Sequence, residues 1–142
     1  MTEIKLTTGS GFRTEIQLGS HTIVADEPAS AGGTDDGPNP YDLLAASLGA
    51  CTAMTLRFYA NRESYPLDGL DVTVSQERIH ARDCSECETE TGFVHRFDVK
   101  IRLEGKDLTE QQRAKLLEVS GRCPVAKTLK REVMIVDELV TQ

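Results

Sequence analysis

Asn39-Pro-Tyr-Asp-Leu-Leu-Ala-Ala-Ser-Leu-Gly-Ala-Cys-Thr-Ala-Met-Thr-Leu-Arg-Phe-Tyr59 decides how the rest of the chain reads. Asn39 is a good helix N-cap, and Pro40 suits the first helical position. Leu44, Leu48, Cys51, Thr55 and Phe58 recur at helical spacing, which places them near one face. The other faces are also mostly apolar, and charge returns only at Asp42 and Arg57. A helix apolar on nearly every side is expected to be buried on nearly every side. This helix is expected to form the centre of the fold.

Short strands are expected before it. Ile4 and Leu6 alternate with polar residues, Phe12, Thr14, Ile16 and Leu18 share one parity, and His21-Thr-Ile-Val-Ala25 follows a Gly19-Ser20 turn. This is the pattern of an antiparallel meander. Residues 26–38 are rich in Gly, Asp and Pro and read as a connector. Their acidity and the missing Gly-Lys-Ser/Thr argue against a phosphate cradle.

After the helix, two more alternating runs, Leu70 to Val74 and Phe97 to Leu103, flank an acidic insert holding Cys84 and Cys87. Thr109-Glu-Gln-Gln112 is a capping-box signature for a helix through about Arg122, with Gly121 a plausible stop. Cys123-Pro124 opens a short helix, and Glu132 to Val140 is expected to close the chain as a strand. The order predicts one α+β domain over residues 1–142.

The 142 residues carry 16 Lys and Arg against 23 Asp and Glu, a formal net charge of −7. That balance argues against broad binding to nucleic acid or anionic lipid, although Lys127, Lys130 and Arg131 make a local basic spot. The N-terminus has no basic start followed by an apolar run, so no signal peptide is read. No uninterrupted apolar stretch approaches about 18 residues, so no membrane span is expected. A cytoplasmic chain with mostly reduced thiols follows from this.

The four cysteines carry the chemistry. Cys51 lies mid-helix, where a thiol often merely packs and where burial raises its pKa. A functional Cys51 needs a cation from elsewhere, since Arg57 points to another side. Cys123 has stronger local support. It sits at the N-cap of a helix, beside Arg122 and near Lys127, where backbone N–H groups and the dipole favour a thiolate. Local physics therefore makes Cys123 the more acidic thiol.

Cys84-Ser-Glu-Cys87 reads three ways: half of a zinc site with His80 and His95, a reversible disulfide, or no special chemistry. Glu86, Glu88 and Glu90 disfavour a fast nucleophile there. His95 shares parity with Phe97 and Val99, which aims it toward the core. No Gly-x-Ser-x-Gly elbow, His-Glu-x-x-His or dinucleotide fingerprint is present.

Two stretches resemble the OsmC family, named for osmotically inducible protein C, which includes the organic hydroperoxide resistance proteins. They are Gly37-Pro-Asn-Pro-Tyr-Asp-Leu-Leu-Ala-Ala-Ser-Leu-Gly-Ala-Cys51 and Gly121-Arg-Cys-Pro-Val-Ala-Lys-Thr-Leu129. The resemblance implies an intertwined α+β homodimer with antiparallel sheets wrapped around a long buried central helix. It also implies cofactor-free reduction of organic hydroperoxides, a role in the oxidative stress response, and active sites at the dimer interface. Carried over, Cys51 is the peroxidatic thiol, Cys123 the resolving thiol and Arg13 the arginine that orients the peroxide. An external dithiol, a lipoylated protein in relatives, then reduces the resulting disulfide.

One position departs from the family pattern. Well-characterised peroxidase members place a Glu directly after the Asn-Pro, to pair with the arginine. Here Tyr41 stands there, with Asp42 next. Tyr41 brings a hydrogen-bond donor but no carboxylate. This departure motivates an alternative, a non-enzymatic member binding a small apolar or thiol-reactive ligand in the same pocket.

Overall fold

The computed structural model describes residues 2–141. It consists of two compact units, the first reaching Ala46 and the second beginning at Ser47. The class is α+β, as the sequence predicts, with two antiparallel sheets and one long helix.

The first unit contains the expected meander. Strands β1 (Ile4–Thr8), β2 (Thr14–Leu18) and β3 (His21–Ala25) pair in order. Residues 26–38 then fold back on themselves rather than hang loose. Asp26 is 2 % exposed. Its carboxylate accepts from the Thr34 hydroxyl at 2.7 Å and from the N–H groups of Glu27 and Asp36 at 2.8 and 3.1 Å. The Thr34 hydrogen bond, joined by the backbone donors, holds this carboxyl below its usual range against the opposing cost of burial. The chain packs so closely that a side chain at Gly33 would strike the Glu27 carbonyl, and one at Gly37 the Val24 carbonyl. These glycines serve close packing around Asp26.

Helix α1 (Pro40–Arg62) begins where Asn39 and Pro40 predict. The Asn39 side chain accepts from the Asp42 N–H at 2.8 Å, and the Asp42 carboxylate accepts from the Asn39 N–H at 3.3 Å. This reciprocal cap satisfies two helix-end donors.

In the second unit α1 lies beside a long ribbon, β4 (Gly69–His80) paired with β5 (Phe93–Glu104). Both strands run to 12 residues, longer than the two short alternating runs that announce them. A Cβ on Gly49 would sit 3.1 Å from Val74 and 3.8 Å from Val72, so the helix rests closely on the ribbon at that glycine. Helix α2 (Glu110–Ser120) has the expected capping box between Thr109 and Gln112. Leu56, Ala60, Leu67, Leu108, Leu116 and Val119 make a buried cluster joining α1 and α2, with Leu70, Ile101 and Leu103 of the ribbon packed against it. Arg57 ties the same region together by donating to the Leu67 carbonyl at 2.7 Å.

Two expectations are corrected. Helix α1 is not buried on every side: Leu48, Thr52, Leu56 and Ala60 are buried, while Met54 and Phe58 are 70 % and 68 % exposed. One chain covers one face, since the described residues provide a single layer of packing for it. Residues 132–140 form no strand; Val133, Ile135 and Val136 are exposed. A strand needs a hydrogen-bonded neighbour, and this segment has none among the described residues. By length and composition alone α1 could cross a membrane, with a mean hydropathy of 1.3 over its most apolar window. Its packing onto the ribbon and α2 marks it as a core helix instead.

Leu116 has no exposed surface, whereas its neighbour Leu117 is 67 % exposed. Leu116→Ala should lower unfolding free energy by about 3 kcal/mol, as expected for a large-to-small change in a core. Leu117→Ala should change it by less than about 0.5 kcal/mol. Urea denaturation of both variants checks the difference.

Candidate active site

The site forms where α1 meets the start of helix α3 (Pro124–Leu129). Cys51 is on the middle of α1 and half-buried; Cys123, the residue before α3, is wholly buried. Their side chains share a hydrogen bond. Seventy-two residues of sequence separate two thiols that the fold places in contact.

Their acidities part as the local reading expects. Burial pushes both thiols up. For Cys51 the hydrogen bond to Cys123 adds to that rise, and the opposing contacts with the Val125 backbone and Thr55 do not reverse it. For Cys123 the hydrogen bond from Cys51, the backbone of Ala126 and Val125 and the Thr52 hydroxyl together outweigh burial, and the thiol ends below its ordinary value. The Cys123 sulfur closes no regular cap hydrogen bond, yet the N–H groups opening α3 lie near enough to favour its anion. Cys51 S–H is thus the donor and the Cys123 sulfur the acceptor.

Thr52 has one hydroxyl proton, which it donates to the Leu48 carbonyl at 2.9 Å. Supporting the Cys123 anion requires it to rotate away from that carbonyl. Thr52 therefore tunes the pair only when Cys123 carries charge.

Cys51 opens onto a groove of about 590 Å³ whose walls are almost wholly apolar. Ala50, Met54, Phe58 and Pro124 line it, and Arg122 is its cation. Arg122 also pairs with Glu118. The groove suits an organic molecule with a small polar end.

Arg13 stands in the first unit, its Nε 3.5 Å from the Asp36 carboxylate, with both side chains about half exposed. Its partner is Asp36, not Asp42, which caps α1. Cys84 and Cys87 form a disulfide at the tip of the β4–β5 ribbon, with Cα atoms 5.5 Å apart. The zinc reading gains no support: no cluster of three metal-binding side chains exists among the described residues. His95 is exposed and sits 3.2 Å from Gln76, so it does not face the core. His80 stacks on Phe93 with ring centroids 4.4 Å apart. In the sequence Arg122 adjoins Cys123 as part of its cationic surroundings, and Thr55 shares a helix face with Cys51. Thr52 carried only a weak signal, a hydroxyl within an apolar helix.

Comparison with known proteins gives the family and the fold. The family model for OsmC-like proteins matches residues 33–136. The chain belongs to the OsmC-like protein family. Among solved structures it is similar to a Psychrobacter arcticus 273-4 protein provisionally described as an osmotic stress induced and detoxification response protein. That match has 22 % identity and a TM-score of 0.70, covering 90 % of this chain and 88 % of that one. It is similar too to an organic hydroperoxide resistance protein OsmC from Legionella pneumophila, at 21 % identity and a TM-score of 0.66, over 92 % and 89 % of the two chains. An organic hydroperoxide resistance protein from Elizabethkingia anophelis matches at 19 % identity and a TM-score of 0.68, over 92 % and 88 %. At these identities the likeness establishes the fold. No curated protein sequence matches the chain.

With Cys84 and Cys87 joined, only Cys51 and Cys123 titrate as thiols. Ultraviolet thiolate absorbance should rise in two steps, one below and one above the ordinary thiol range. Cys123→Ser should remove the lower step and Cys51→Ser the upper. A low step that survives in Cys123→Ser contradicts the assignment. The signs for stability are opposite. The lowered Cys123 value adds stability as pH climbs through it toward the ordinary thiol range, and the raised Cys51 value removes stability above that range.

Proposed function

We propose that this protein is a cysteine-based, cofactor-free peroxidase that reduces organic hydroperoxides through a Cys51/Cys123 disulfide cycle. The observation that carries the reading is the hydrogen-bonded thiol pair whose outer member, Cys51, lines an apolar groove. The names of the Legionella and Elizabethkingia relatives point the same way.

Exposure and acidity assign the roles. Cys51 borders the groove, whereas Cys123 is sealed, so an entering peroxide meets Cys51. When Cys123 is ionised, the proton of the pair sits on Cys51, the less acidic thiol. Passing it along the shared hydrogen bond to Cys123 frees the Cys51 thiolate. That thiolate attacks the outer peroxide oxygen and breaks the O–O bond. The Cys123 thiol supplies the proton that turns the departing alkoxide into an alcohol. Cys51 is left as a sulfenic acid, which the Cys123 thiolate attacks, forming the disulfide and releasing water once hydroxide is protonated. An external dithiol, such as a lipoylated protein, restores both thiols by exchange, and Cys123 is the better leaving group because its anion is stabilised.

Arg122 is the cation at the groove mouth and orients the peroxide oxygens by charge-assisted hydrogen bonds. Arg13, indicated by family resemblance, shares that role in the assembled protein. The assembly is a cytoplasmic homodimer in which a second copy covers Met54, Phe58 and the apolar segment 132–140. All of these are exposed in the single chain. The 142 residues act as one OsmC-like domain in each copy.

Stopped-flow mixing of the reduced protein with cumene hydroperoxide tests the reading. Cys51→Ser should abolish the reaction, and Cys123→Ser should react once and keep a sulfenic acid that a dimedone probe captures. Arg122→Ala and Arg13→Ala should each lower kcat/KM by about 10-fold or more, a loss of about 1.4 kcal/mol of transition-state stabilisation. Sedimentation should give the mass of two chains. A reaction no faster than that of an unstructured thiol would sink the proposal and leave the ligand-binding alternative.

A further inference from the structure

The Cys84–Cys87 disulfide has no part in the cycle above. As a structural staple it is nearly redundant. It closes a loop with a sequence separation of 3, and short loops gain least from cross-linking. The ribbon beneath it is already paired residue by residue from Gly69↔Glu104 to His80↔Phe93. The turn at the tip is held by Ala81 N–H on the Gly92 carbonyl at 2.9 Å and Cys84 N–H on the Ala81 carbonyl at 3.1 Å. Both cysteines are only half-buried, so a partner thiol has access.

We propose that Cys84 and Cys87 are a second redox dithiol that reduces the oxidised Cys51–Cys123 pair of another copy and is itself re-reduced by an external dithiol. This rests on the peroxidase reading above. In the forward step a Cys84 or Cys87 thiolate attacks the Cys51 sulfur, and the Cys51–Cys123 bond breaks with Cys123 leaving. The other tip thiol then resolves the mixed disulfide and releases Cys51. Two electrons and two protons pass from the tip to the pair.

Charge sets that direction. Asp83, Glu86, Glu88 and Glu90 crowd the tip. The nearby cations are Arg82, which is exposed, Arg78, whose guanidinium lies over the Phe93 ring at 4.6 Å, and Arg96, which is held by Asp98 at 2.9 Å and by Glu77 at 4.0 Å. Such surroundings do not stabilise thiolates, so the tip favours its disulfide and gives up electrons. The stabilised anion of Cys123 makes the central pair the acceptor.

Distance makes the transfer intermolecular. Helix α1 touches the ribbon at Val72 and Val74. The tip begins at Ala81, about 23 Å further along at the rise of a β-strand. Sulfur exchange needs contact, so the tip serves a copy other than its own.

Peroxide stoichiometry without external reductant tests this. The chain is reduced with dithiothreitol, desalted anaerobically and titrated with cumene hydroperoxide. The native sequence should consume about two equivalents per chain, and Cys84→Ser/Cys87→Ser about one, because each dithiol supplies one electron pair. Cys51→Ser should consume none, which excludes direct oxidation of the tip. Adding reduced Cys51→Ser to the Cys84→Ser/Cys87→Ser protein should restore the second equivalent to the latter. One equivalent in the native sequence, with Cys84 and Cys87 still open to alkylation, overturns the relay and leaves the peroxidase standing. No consumption by any form overturns both. Two equivalents in the native sequence without rescue by mixing overturns transfer between copies.

Discussion

One hydrogen bond, from the Cys51 thiol to the Cys123 sulfur, organises the site. It requires the middle of α1 and the start of α3 to be held together, and the packing of the second unit does this. The cluster of Leu56, Ala60, Leu116 and Val119 fixes α2 on α1, and the Arg122 N–H bonds back to the Val119 carbonyl at 2.9 Å just before α3 begins. The chain is thus led directly from a packed helix to the cysteine. The hydrogen bond also divides labour between two chemically identical groups. The sealed thiol is the more acidic of the two, and the half-buried one meets the groove. A lone buried cysteine would have neither property, since burial by itself keeps a thiol protonated and inert.

Helix α1 serves this pair with two unlike faces. Leu48, Thr52, Leu56 and Ala60 go inward. Thr52 is the polar member of that row, and its hydroxyl chooses between the Leu48 carbonyl and Cys123. The opposite face carries Met54 and Phe58 into the groove beside Cys51. Their exposure is the counterpart of the apolar segment 132–140, which has no strand partner among the described residues.

Local signals in the sequence were read well where the physics is local. Asn39-Pro40 started α1, Thr109 and Gln112 capped α2, and Pro124 placed Cys123 at the head of α3. That position predicts a more acidic Cys123, although the largest lowering influence on it is Cys51, a partner distant in the chain. What the sequence did not show depends on partners distant in the chain. The Asp26 hub looks like an ordinary connector until Thr34 and Asp36 fold back on it. The Arg13–Asp36 ion pair likewise depends on the fold-back of residues 26–38. Val133, Ile135 and Val136 are apolar enough for a strand, but apolar side chains cannot supply a neighbouring edge. The all-round apolarity of α1 was read correctly as a demand for burial; a single chain meets it on one side.

The central claim is that Cys51 and Cys123 work as one redox unit. Its most direct test is disulfide mapping by mass spectrometry after a single equivalent of cumene hydroperoxide is added to protein whose tip disulfide is intact. A Cys51–Cys123 linkage within the chain is the predicted product. Over-oxidised Cys51 beside a free Cys123 thiol would contradict the claim, as would cross-links involving Cys84 or Cys87 with the central pair untouched.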